Sequence, residues 1–454
     1  MGGGSSKAKK VAAVGEDAVA VLPSGTSPAS STESDLTSSA FESVPGEATK
    51  GQGSTNSNDD PGTSERPRGE EKGSAEDAEE LASLFPGEGG KPPEAVMVWV
   101  DGKGDLATKA NAEKEHQRAL SWLQAALPLA HKHASVKDSI KRLLAVNAFT
   151  SNTGYMEIFD PLQTFCRDRL LGVGEPLQAY YRDNDAVRGL AEIYPDTLAG
   201  LASQGHLRQD DPRVGLSCPT SFDMRTFEGE SRYIHFLRLV ALVLNDLYQE
   251  TVKKALSKGD HKVCKIKGDA RMRNKALAAD DHRYATKPRP AQNIDILRCC
   301  VTFPDVDSMR DGIKALVALA RKGSGGVGRV KNGFALSEAE AAKSFHYRSW
   351  MMNMVVDFGK TFGEILGTSK AADLVDKYLS APPENPDEPW GRWRRDAQAA
   401  AEVLRSGDMS RRQVVMVCEV QVLLQPYLDA RREMHLLYKI VRAASDEHLA
   451  TQFA

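Results

Sequence analysis

From Lys262 onward five apolar runs alternate with helical patterns, and this switch of period limits the folds open to the chain more than any other feature. The runs cover 262–267, 294–303, 328–335, 349–358 and 414–423, with helices expected over 308–321 and 428–444. Strands and helices interleaved in this way predict an α+β fold, a mixed β-sheet domain over 261–445 with an insertion near 360–410. The preceding stretch, 94–260, opens with the apolar run Ala95–Val100 and then reads as mainly helical. Leu120, Leu123, Leu127 and Leu129 make one stripe, and Ile234, Leu237, Val240, Val243, Leu244, Leu247 and Tyr248 a longer one at spacings of three and four. The period changes after Lys258-Gly259-Asp260, which places a domain boundary there.

Residues 1–93 offer little that a core could use. From Ser24 to Pro93 they are mostly Ser, Gly, Glu, Pro and Thr, so burial cannot offset the entropy of ordering and a disordered tail is expected. Met1-Gly2-Gly3-Gly4-Ser5-Ser6 fits the N-myristoylation pattern with Gly2 as acceptor, and Lys7, Lys9 and Lys10 follow. A single acyl chain holds a bilayer only marginally, and a basic cluster beside it supplies the second signal for an anionic membrane surface. The plain alternative is an unmodified Gly/Ser tail. No run of eighteen apolar residues occurs, so no bilayer span is expected. The cysteines Cys166, Cys218, Cys264, Cys299, Cys300 and Cys418 form no C-x-x-C pair and no secretory signal precedes them, which predicts reduced thiols in a cytoplasmic setting and no zinc site. A net charge of -3 on 454 residues favours neither a nucleic-acid-coating protein nor a general membrane-surface protein.

Local charge is more telling. Between His261 and Gln292 lie Lys262, Lys265, Lys267, Arg271, Arg273, Lys275, Arg283, Lys287 and Arg289 against few acids, a surface that attracts phosphate unless it is simply a solvated face. Alternation along the 262–267 run puts Lys265 and Lys267 on one side, beside Asp295. Asp295 opens an apolar strand pattern and Glu419 interrupts another. A carboxylate there is costly unless a cation, a metal or a hydrogen-bond donor meets it, and Arg298 is the candidate partner for Asp295. Two paired structural acids are the bland alternative. Tyr347, between His346 and Arg348, offers a ring and a guanidinium suited to a purine and its phosphate. Gly323–Gly328 matches G-x-G-x-x-G but follows a helix, and Gly359-Lys360-Thr361 lacks the earlier glycine of a phosphate loop, so neither is a nucleotide motif.

Taken in order, Lys265-Ile-Lys267 with Lys275, Asp295-Ile-Leu-Arg298, Arg329-Val-Lys331-Asn332, Tyr347-Arg348-Ser349 and Glu419-Val-Gln421 resemble the motifs of the RelA/SpoT-type alarmone synthetase domain. Met434-His435 and Tyr438-Lys439 are similar to the helix that follows them. The resemblance covers residues 262–442. It implies a nucleotidyltransferase-like fold that moves pyrophosphate from ATP to a ribose 3′-hydroxyl, in guanosine tetraphosphate metabolism. It further implies that Asp295 and Glu419 hold Mg2+, with Glu419 also able to act as base, and that Lys265, Lys267, Lys275 and Arg298 grip the ATP phosphates. Arg329, Lys331, Tyr347, Arg348 and Gln421 would receive the acceptor, a guanine nucleotide (GDP or GTP) or an RNA 3′ end. Cys300 stands where the family has Arg, His346 where it has Gly and Met351 where it has His. The altered Tyr347 motif and the long insertion favour the alternative expectation, a catalytically inactive nucleotide-sensing or scaffold protein tethered to membrane.

Overall fold

The computed structural model describes residues 109–145, 156–194 and 207–443, apart from 213, 215, 217–218, 279–280, 323–325 and 386–387. The expected strand at 95–100, the acceptor Gly2 and its basic cluster lie outside these residues.

The first half is helical. Helix α1 (Lys109–Ala126) runs into a short 3-10 turn over Leu127–Leu129, and Leu120, Leu123, Leu127 and Leu129 are buried as one stripe. Helices α2 (Ala134–Ala145), α3 (Met156–Asp183) and α4 (Asp185–Arg188) follow, the last started by the Asn184 side chain, which accepts from the amides of Ala186 and Val187. Helix α5 (Phe227–Ala255) has Thr226 as its N-cap, acids in its first turn and Lys253 and Lys254 in its last, the arrangement the helix dipole favours.

The second half alternates. It comprises β1 (Asp260–Val263), α6 (Asp269–Leu277), β2 (Arg298–Phe303), α7 (Val306–Lys322), β3 (Val327–Asn332), α8 (Glu338–Lys343) and β4 (Trp350–Thr361). Helices α9 (Phe362–Leu366), α10 (Ser369–Ser380), α11 (Trp390–Leu404) and α12 (Gly407–Ser410) fill the expected insertion, and β5 (Gln413–Leu424) and α13 (Gln425–Arg442) are the last described elements. The fold is α+β, with strands ordered β1-β2-β5-β4-β3, β2 parallel to β5 and the other pairs antiparallel.

Two strand expectations are corrected. β1 ends at Val263, so Lys265 and Lys267 are not on a strand, and Lys265 is exposed while Lys267 is buried. The cause lies in the partner: residues 294–297 form turns and bends, β2 starts only at Arg298, and Val263 opposite Cys299 is the last pair the ladder can make. For the same reason Asp295 precedes its strand instead of lying within it.

Register sorts the sheet into two faces. Cys299, Val301 and Phe303 face α5 and α7. Tyr248 of α5 places its hydroxyl 3.5 Å from Cys299 Sγ, and a side chain at Gly312 of α7 would run into the Phe303 ring, so that glycine lets the helix close on the sheet. The other face carries Glu419 and Gln421 and is covered by α13, against which α3 packs. Buried residues from Ala119 to Ala443 form one continuous core that joins the helical half to the sheet. Gln209 adds a clasp: its side-chain amide donates to the carbonyls of Asn293 and Val417 at 3.1 and 3.0 Å and accepts from the Val417 amide at 3.1 Å, standing in for a strand where β2 has not yet begun.

Candidate functional site

The site is a row of side chains set by strand register. Arg298 on β2, Glu419 on β5, Asn353 on β4 and Arg329 on β3 lie level with one another, and Lys262, Cys300, Gln421, Met351 and Lys331 form the next row on the same face. Glu419 is only 1% exposed. Its Oε1 accepts from Gln421 Nε2 at 2.9 Å and its Oε2 from Asn353 Nδ2 at 3.4 Å. Arg329 Nε in turn donates to Asn353 Oδ1 at 3.1 Å, and Arg431 Nη1 of α13 donates to Gln421 Oε1 at 3.2 Å. Amides therefore link a carboxylate at the sheet centre to a guanidinium on either side.

Asp295 begins a second cluster. It is 5% exposed, and its Oδ2 is met directly by Lys267 Nζ and at 3.7 Å by Lys275 Nζ. Lys267, not Arg298 as the sequence suggests, is thus its contact partner, brought there as the chain leaves β1 for the N-terminus of α6. Burial pushes the Asp295 carboxyl up, but Lys267, Lys275 and Arg298 together hold it well below the usual range. Burial pulls the Lys267 ammonium down to about 8 against the attraction of Asp295.

Three buried polar atoms are left over between these clusters. Asp295 Oδ1 and Arg298 Nε and Nη1 have no hydrogen-bond partner among the described residues. Orphaned donors on a buried guanidinium are rare because each costs about 1–3 kcal/mol, and an anion is what would satisfy them. The unpartnered Asp295 oxygen is the complementary place for a cation. Among the described residues no three His, Cys, Asp or Glu side chains gather as a metal site. Magnesium, however, commonly takes only one or two carboxylates and completes its shell with water and substrate phosphates. The residues fit a magnesium that arrives with a triphosphate better than a resident one, because Lys267, Lys275 and Arg298 repel a bare cation.

The expected acceptor residues separate. Tyr347 is buried, with its ring edge-on to Tyr427 at 6.3 Å and Arg431 and Ser349 beside its hydroxyl. Arg348 lies over the Tyr181 ring at 3.8 Å and donates to the carbonyls of Gly333 and Leu336, both at 2.8 Å. Its donors fix the loop before β4, which is a structural place and not the phosphate contact the sequence suggests. Lys331 lies one row from Arg329, while Lys265 stands exposed at the head of the basic segment.

Sequence reasoning missed Asn353 and Arg431. The signal was there: Asn353 is a polar residue inside an apolar strand run, the argument already applied to Asp295 and Glu419. Arg431 breaks the buried stripe Tyr427, Leu428, Met434 of α13. No described helix is long and apolar enough to cross a membrane. No family model, curated protein or solved structure matches the chain.

Proposed function

We propose that the chain is a divergent magnesium-dependent pyrophosphokinase or nucleotidyltransferase of RelA/SpoT-like type, using ATP and a hydroxyl acceptor from GDP, GTP or an RNA 3′ end. The observation that carries this reading is the pair of orphaned Arg298 donors close to the Lys267–Asp295 pair and to Lys275, which also lies 3.5 Å from Asp281. Phosphate oxygens suit those donors, since Lys and Arg there position them and spread the charge that develops as the phosphoryl group transfers. Asp295 and Glu419 would hold the magnesium, which when bound neutralises triphosphate charge. Glu419, already the acceptor of two amide hydrogen bonds, would take the acceptor hydroxyl's proton. Asn353 and Gln421 keep its carboxylate in one orientation.

The test is direct. Full-length protein is incubated with ATP, magnesium and each acceptor in turn, and products are separated by ion-exchange chromatography. The expected result is a magnesium-dependent transfer product that falls at least ~100-fold in Glu419→Gln. An intact chain that forms no product with any acceptor refutes the enzymatic reading.

A second reading, an inactive nucleotide-sensing or scaffold protein, is favoured by one observation: Glu419 and Tyr347 are both closed off from solvent, so neither meets a substrate without a rearrangement. ATP binding without turnover selects it.

A further inference from the structure

The N-termini of α5 and α11 bring together exposed rings and arginines that the site above does not use. Trp390, 40% exposed, is stacked on Trp393 with ring centres 5.6 Å apart and planes 9° from parallel. Trp393 is itself buried and donates its Nε1 to Asp269 at 2.9 Å, so the outer ring rests on a fixed base. Phe227, 41% exposed, has the Arg392 guanidinium 5.0 Å from its ring centre and that of Arg273 at 5.7 Å. Tyr284, 80% exposed, carries Arg283 at 5.7 Å, and Lys287 ties this loop to the chain just before Phe227 through the Arg225 carbonyl at 2.7 Å. Arg394 adds further exposed positive charge on α11, while Arg395 lies 3.8 Å from Glu228 and 4.0 Å from Asp396.

We propose that this surface binds unpaired nucleic acid, with Trp390, Phe227 and Tyr284 as stacking platforms and Arg283, Arg392 and Arg394 as backbone contacts. Three solvent-facing rings, two of them with a guanidinium over the ring, offer flat faces to bases and charge to phosphates, the combination used to hold single strands without reading sequence. An acidic peptide would use the arginines but has no need of three exposed rings. The surface adjoins the candidate site, because Arg273 and Lys275 both belong to α6. It involves no catalytic step and holds for an inactive chain as well.

The experiment titrates full-length protein against a fluorescein-labelled single-stranded RNA of ~12 nucleotides and follows anisotropy. Saturable binding that weakens with salt is expected, and Trp390→Ala and Tyr284→Ala each weaken it by about five- to tenfold. Arg392→Glu, an exposed change that leaves the core untouched, weakens it further and flattens the salt dependence, and thermal melts confirm that each variant is folded. Glu419→Gln binds like wild type, which separates this surface from the transfer reaction. Absence of binding, equal binding by the folded variants, or displacement of RNA by polyglutamate as readily as by unlabelled RNA overturns the proposal, the last in favour of an acidic protein partner.

Discussion

Arg298 and Glu419 stand opposite each other across the parallel β2–β5 ladder, so a guanidinium and a carboxylate share one face at the centre of the sheet. Both are buried. Glu419 is satisfied by amides, whereas Arg298 keeps two donors unmet. The proposed phosphate site rests on this asymmetry.

Arg298→Met removes the orphaned donors while keeping the volume. Stability is expected to stay level or rise by up to about 2 kcal/mol, because each unmet donor is costly, while ATP affinity falls at least ~10-fold. Urea unfolding and ATP titration read the two effects. Destabilisation beyond about 3 kcal/mol with ATP affinity unchanged would mean that Arg298 is only an ion-pair partner.

Lys267→Met leaves Asp295 with its nearest cation gone. Removing one member of a buried pair costs about 3–5 kcal/mol, whereas replacing both, Lys267→Met with Asp295→Leu, should recover most of it. Denaturation of the single and double variants checks this. A single variant as stable as wild type sinks the claim that the pair is held in low dielectric.

Acid stability should follow His235. Its Nδ1 is 2.7 Å from the Tyr378 hydroxyl, Trp393 packs edge-on, and burial followed by Arg273 and Arg238 lowers it to about 3. As pH falls below the ordinary histidine value the unfolded chain takes a proton that the folded chain refuses. Stability therefore declines on the acid side of about pH 6.5, by up to about 1.4 kcal/mol per pH unit, until the folded group titrates as well. His235→Phe should flatten this slope, and an unchanged slope would assign it to other groups.

His346→Gly should be stabilising. Phe345 and His346 have φ of 53° and 59°, a left-handed pair just before Tyr347. Glycine, which the resemblance expects at 346, adopts this conformation freely and should add up to about 1 kcal/mol. A lower urea midpoint for the variant would show that the imidazole makes a contact worth more than the strain.

Much of the fold was legible. The expected strands at 349–358 and 414–423 are β4 and β5 with short extensions, the stripe from Ile234 to Tyr248 lies on a buried or part-buried side of α5, and the insertion is a set of helices. What failed was local. Alternation could not place Lys265 and Lys267, because strand length is limited by where the partner begins, and that depends on the turns at 294–297. The tie between Asp295 and Lys267 was likewise hidden in the chain's path between β1 and α6. Gln209 could not be found at all: a glutamine in a loop carries no sign that it completes the backbone bonding of β5, some two hundred positions away.

Among the described strands β5 is the last to be synthesised, yet it occupies the middle of the sheet. On the ribosome β2 and β4 must therefore wait with bare edges, and α3 waits for α13, to which Gln163 is joined through the carbonyls of Ile440 and Ala443 at 3.0 and 2.8 Å. The sheet can close only after β5 has emerged. A nascent chain stopped before Gln413 should remain open to protease, making it a substrate for chaperones until that strand is in place.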